Sequence, residues 1–176
     1  MVKPNIKYLI AGAITGALGA APLTSAVALT NRYHHTHCKT VPGDVYNYDV
    51  VEGYSSIEFT GEVDIDCPIS ETSTFQKANV TGATVFYRQT GTSQVAAKLC
   101  TLEITPTSPS SSSTCSSALL SNPDLQGYLS MSFSSSAFAT WDNHPNAYPY
   151  IHVTRPSATG QPTGTKFSFR GIELTY

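Results

Sequence analysis

Ile57-Glu58-Phe59-Thr60-Gly61-Glu62-Val63-Asp64-Ile65-Asp66-Cys67-Pro68 alternates between apolar and polar side chains along its whole length. Ile57, Phe59, Val63, Ile65 and Cys67 share one parity, with Gly61 in the remaining place, while Glu58, Thr60, Glu62, Asp64 and Asp66 share the other. A period of two sends successive side chains to opposite faces, so the segment reads as a strand with one buried and one solvated face. The run of 12 residues is about twice a usual strand. Gly61 in its middle therefore marks a bend or bulge at which the chain passes from one sheet environment to another. Cys67 ends the buried parity and Pro68 stops it, which makes the cysteine a staple between two layers rather than an exposed reactive thiol.

Outward from this segment the chain repeats the pattern. Val45–Val50 alternates after the turn Val41-Pro42-Gly43-Asp44. Ala83–Gln89 and Gln94–Thr105 flank the turn Thr90-Gly91-Thr92-Ser93 and read as a hairpin. In its second arm Val95, Ala97 and Leu99 are odd whereas Cys100, Leu102 and Ile104 are even, so a bulge near Leu99 is expected if all face the core. Pro106–Ser117 is rich in serine and reads as a loop tethered through Cys115. Leu129, Met131 and Phe133 mark a further half-buried strand, and Ile151 and Val153 another, with Tyr150 and His152 facing out. In the last strand, Lys166–Tyr176, Phe167 and Phe169 have one parity and Ile172, Leu174 and Tyr176 the other. A bulge at Gly171 would keep all five on the core side.

The N-terminus places this domain in a compartment. Lys3 and Lys7 precede an apolar run from Tyr8 to Ala21, and Ala26-Val27-Ala28 supplies small residues for cleavage, so residues 1–28 read as a signal peptide and the protein as exported, periplasmic or extracellular. The run holds 14 residues, three of them glycine, against the roughly 20 that cross a bilayer. Its removal leaves residues 29–176, a single domain of 148 residues without a membrane span. With Lys3 and Lys7 gone, eight Lys and Arg stand against 12 Asp and Glu, which removes the electrostatic footprint of a nucleic-acid binder. Four cysteines in an oxidising compartment leave three disulfide connectivities open. Cys38 with Cys67 and Cys100 with Cys115 is the expected pairing, because each pair is near in sequence. No pair has the C-x2-C spacing of a zinc site.

His37-Cys38, Asp66-Cys67-Pro68, the pair Cys100 and Cys115, Tyr148-Pro149-Tyr150 and Ser168-Phe169-Arg170-Gly171-Ile172 together resemble a group of small exported bacterial proteins whose activity is not established. The resemblance covers most of the mature chain and implies an exported sandwich with two disulfides. The strand count, the short turn spacing and the lack of helical periodicity beyond the leader point to the same class: all-β, a single antiparallel β-sandwich, of jelly-roll or immunoglobulin-like order.

Candidate functional residues are few. Trp141, His144, Tyr148, Tyr150 and His152 form the densest aromatic and polar group in the sequence, and they are the expected ligand surface, for a glycan or another cell-envelope component. The simpler reading, and the favoured one for large aromatics, is that Trp141 plugs the end of the core and Tyr148 anchors its loop by the hydroxyl. His34, His35 and His37 invite a metal, but two adjacent histidines cannot share a strand face. The acidic parity at Glu58, Glu62, Asp64 and Asp66 invites calcium, yet carboxylates spaced along one strand lie about 7 Å apart, and a solvated face is the simpler reading. Acid–base pairs for a hydrolase would have to come from Asp142 with His144 or Glu62 with Asp64. Neither has a nucleophile elbow, metal motif or phosphate loop beside it, so no cofactor and no catalysis are expected. Asn79-Val80-Thr81 is a glycan acceptor only in a host that glycosylates it. A structural or matrix role without a small ligand is the competing reading.

Overall fold

The computed structural model describes residues 28–40, 63–92, 94–104, 111–155 and 167–176, together with the backbone of 57–59. The leader up to Val27, the strand expected at Val45–Val50, and Gly61 and Glu62 lie outside the described residues.

Two antiparallel sheets pack face to face. The first contains β1 (Thr30–His34), β3 (Ile57–Phe59), β5 (Gly82–Gln89), β9 (Gly127–Ser132) and β11 (Phe167–Thr175). The second contains β2 (Lys39–Thr40), β4 (Val63–Pro68), β6 (Ala96–Ile104), β7 (Ser111–Cys115), β8 (Leu119–Leu120) and β10 (Tyr148–Arg155). In the first sheet β11 lies beside β5 along its length, and its other edge is shared by β1, opposite Gly171–Thr175, and β3, opposite Phe167–Phe169. In the second, β10 is central between β4 and β6. The early strands β1 and β3 thus pair with the last strand, and β2 and β4 lie on the side of the next-to-last. Apart from β6, β7 and β8, which all lie in the second sheet, successive strands alternate between the sheets, which is the wrapping of a jelly roll.

That wrapping explains the defining segment. Its first part, β3, pairs with β11 in one sheet, and its second part, β4, pairs with β10 in the other, so β3 and β4 belong to different sheets. Val63, Ile65 and Cys67 are buried while Asp64 and Asp66 lie at the surface, as the alternation requires. The Cys38–Cys67 disulfide ties the crossover between β1 and β2 to the inner face of β4. Cys100–Cys115 joins directly opposed residues of β6 and β7.

Between the sheets lies a core that includes Ile65, Val85, Leu99, Ile151, Phe169 and Leu174, with Trp141 closing one end. In β11 the register shifts between Phe169 and Gly171, and Phe167, Phe169, Ile172 and Leu174 are all buried. Gly171 has φ +139°, and a Cβ there would collide with the Tyr33 carbonyl oxygen. Only glycine meets both conditions.

Three expectations are corrected. β5 and β6 are not a hairpin: they belong to different sheets, and the turn between them carries the chain across the sandwich. Pairing of β6 with β10 runs without a shift from Ala96 to Leu102, so there is no bulge at Leu99. Leu102 and Ile104 consequently face outward with Cys100, and Ile104 is 61% exposed. Part of the serine-rich segment, Ser111–Cys115, is an edge strand, because a ladder needs only backbone groups and β6 presents a free edge there.

Candidate functional site

The outer face of the second sheet gathers most of the chemistry. Along β10 the alternation turns Pro149, Ile151, Val153 and Arg155 inward and leaves Tyr148, Tyr150, His152 and Thr154 outward. Register then dictates the neighbours. Tyr148 lies opposite Leu102, Tyr150 opposite Cys100 on β6 and Pro68 on β4, and His152 opposite Lys98 and Asp66. Lys39 on β2 lies opposite Asp66, so Lys39, Asp66, His152 and Lys98 form one row across four strands.

At one end of this face, Tyr148, Pro149, Tyr150, Leu102, Pro68, Asp66, Lys39 and Thr40 line an open groove of about 450 Å³. Tyr148 is 64% exposed, which leaves a phenol ring face available to a ligand. The loop before it is held from beneath. Lys77, the buried first residue of a short 3-10 turn (Lys77–Asn79), donates from Nζ to the carbonyls of His144 (2.8 Å) and Ala147. A buried ammonium is tolerated only when its donors are used in this way, and here they fix the backbone leading into Tyr148.

Beside the groove, His152 Nδ1 lies 2.7 Å from Asp66 Oδ1 and 3.3 Å from Asp64 Oδ1. The hydrogen bond to Asp66 is the main reason the imidazole holds its proton above the usual histidine range; burial opposes this, both carboxylates add to it, and Lys98 works against it. Asp64, Asp66 and His152 are the group of donors close enough to share one metal ion among the described residues.

The expected ligand surface is thus assembled in part. Tyr148 and Tyr150 line the groove together, and His152 lies next along the strand. Trp141 does not belong to this surface: it is fully buried in the short helix α1 (Ala139–Asp142), packs edge-on against Phe138 and donates from Nε1 to the Cys100 carbonyl (2.9 Å). A large ring with a single donor is well placed where the sandwich end needs filling and one carbonyl needs a partner. His144 is half-buried, and its Nδ1 donates to Glu103 Oε1 at 2.9 Å. Asp66, Lys39 and Leu102 contribute to the groove although sequence reasoning left them out. Their signal lies in register, which no local pattern carries.

No protein-family model matches the chain, and no curated protein matches it. Solved structures similar to it include the following two. A family two carbohydrate esterase from Cellvibrio japonicus has 10% identity and TM-score 0.44, over 85% of this chain and 34% of the esterase. TmCBM61, solved in complex with beta-1,4-galactotriose, has 7% identity and TM-score 0.37, over 84% of this chain and 87% of its own. The chain thus spans about a third of the esterase's length. Likeness at these scores carries no argument about ligand or chemistry.

Proposed function

We propose that this protein is an exported, non-catalytic module that binds carbohydrate in the groove at Tyr148. The observation that carries the reading is an exposed tyrosine at the start of a central strand, with Tyr150 two residues along the same face and the polar groups of Asp66, Lys39 and Thr40 at the margin. A sugar presents an apolar C–H face and a rim of hydroxyls. An aromatic ring answers the first, and a carboxylate, an ammonium and a threonine hydroxyl answer the second. Side chains two apart on a strand lie about 7 Å from one another, so Tyr148 and Tyr150 suit a ligand longer than one ring.

Export is supported by the N-terminal Lys3, Lys7 and apolar run, and by two disulfides that pair all four cysteines. No helix among the described residues is long and apolar enough to cross a membrane. The resemblance to small exported bacterial proteins belongs to the same reading.

The test is a thermal-shift screen of the purified protein against neutral and acidic oligosaccharides, since ligand binding raises native-state stability by RT ln(1 + [L]/Kd). A shift with an oligosaccharide that disappears in Tyr148→Ala supports the assignment. Silence across the panel would favour a structural role without a small ligand.

A further inference from the structure

The geometry points to a divalent transition-metal site, of the zinc class, formed by Asp64, Asp66 and His152 on the outer face of the second sheet. The assignment shares Asp66 with the groove but needs no sugar. Along β4 alone the two aspartates could not meet on one ion, because their backbone positions are about 7 Å apart. The neighbouring strand changes this. His152 sits directly opposite Asp66, and its Nδ1 reaches both carboxylates, at 2.7 Å and 3.3 Å. All three donor atoms lie within 4.8 Å of one another.

A zinc-class ion with bonds of roughly 2.0–2.2 Å holds its ligand atoms about 3–3.5 Å apart. The Nδ1–Asp64 separation of 3.3 Å already lies within that spacing and the Nδ1–Asp66 separation of 2.7 Å is shorter, so a small opening by side-chain rotation suffices. The side chains are between 23% and 40% exposed, and the Asp64 Oδ1 atom itself is shielded from water. The donors are therefore partly desolvated yet reachable.

Without metal, Nδ1 donates its proton to Asp66 Oδ1, with the Asp64 carboxylate beside it. With metal, the ion takes that proton's place and the proton leaves to solvent, as binding by imidazole requires. Two carboxylates and a neutral imidazole then balance the dication, while Lys98 opposite His152 and Lys39 opposite Asp66 weaken the site. The donor set also selects the ion. Calcium takes six to eight oxygens, whereas one nitrogen and two carboxylates suit first-row divalent ions and leave a coordination position for water or an exogenous ligand.

Chelator-treated protein titrated with Co²⁺, followed by visible absorption, tests the site. One equivalent should bind with ligand-field bands, Zn²⁺ should displace it, and Ca²⁺ should not compete. His152→Gln and Asp64→Asn, which remove ligands from different strands, should each weaken binding at least about ten-fold while circular dichroism and melting show a folded protein. The combined His34→Gln, His35→Gln and His37→Gln variant should bind as the wild type does. Absence of stoichiometric uptake would overturn the site, as would uptake unchanged in folded His152→Gln or abolished by the N-terminal histidine substitutions.

Discussion

Tyr148 and Trp141 are seven positions apart in sequence and have opposite roles. The phenol of Tyr148 is 64% exposed, whereas the indole of Trp141 is fully buried and hydrogen-bonded to Cys100. Trp141→Ala should therefore cost about 3–5 kcal/mol of unfolding free energy, read by urea denaturation, while Tyr148→Ala should stay within about 0.5 kcal/mol. Sequence alone places both in one aromatic group because residue type says nothing about which ring the packing consumes. Other tyrosines report on pH. Burial raises the phenols of Tyr33, Tyr87 and Tyr176 above the ordinary value of 10.0. A folded-state pKa above the unfolded one means the contribution is intact below about pH 10 and lost as pH rises through the folded values. Urea midpoints should thus fall in strongly alkaline solution, and Tyr176→Phe should make that fall shallower.

At the scale of elements, the two glycine-marked segments were legible for physical reasons: an alternation about twice the usual strand length must bend or change sheet, and an inward apolar parity that breaks must be repaired by a bulge. At β11 the repair is a bulge at Gly171, which restores Ile172 and Leu174 to the core. Gly171→Ala would force a side chain into a backbone region closed to it and against the Tyr33 carbonyl. A loss of at least about 1–3 kcal/mol is expected, measured by urea unfolding. The same parity logic misleads at β6, where Leu102 and Ile104 lie outside because the ladder to β10 and β7 continues without a shift. The outward Leu102 supplies part of the apolar groove wall. Ser111–Cys115 escaped notice for another reason: an exposed edge strand has no buried face and so no alternation to read.

Across the whole molecule, alternating strands, turn spacing and paired cysteines sufficed for an antiparallel sandwich with two disulfides. They did not reveal which strands are neighbours. The jelly-roll order comes from long-range pairing such as β1 with β11 and β4 with β10, and that order places Asp66 beside His152 and Lys39 near Tyr150. The candidate site was accordingly legible as Tyr148, Tyr150 and His152 on one strand, and not as a surface built across β2, β4, β6 and β10. The opposite sheet supplies an internal comparison, since Tyr128 is 63% exposed there, with the guanidinium carbons of Arg88 and Arg170 at 5.5 Å and 5.1 Å from its ring centroid. Affinity electrophoresis in native gels containing a series of polysaccharides separates the two faces directly. Retarded migration in at least one polysaccharide is predicted for the wild type and for Tyr128→Ala, and lost in Tyr148→Ala. Unretarded migration of the wild type in every gel, or retardation that survives Tyr148→Ala, would contradict carbohydrate binding at this groove.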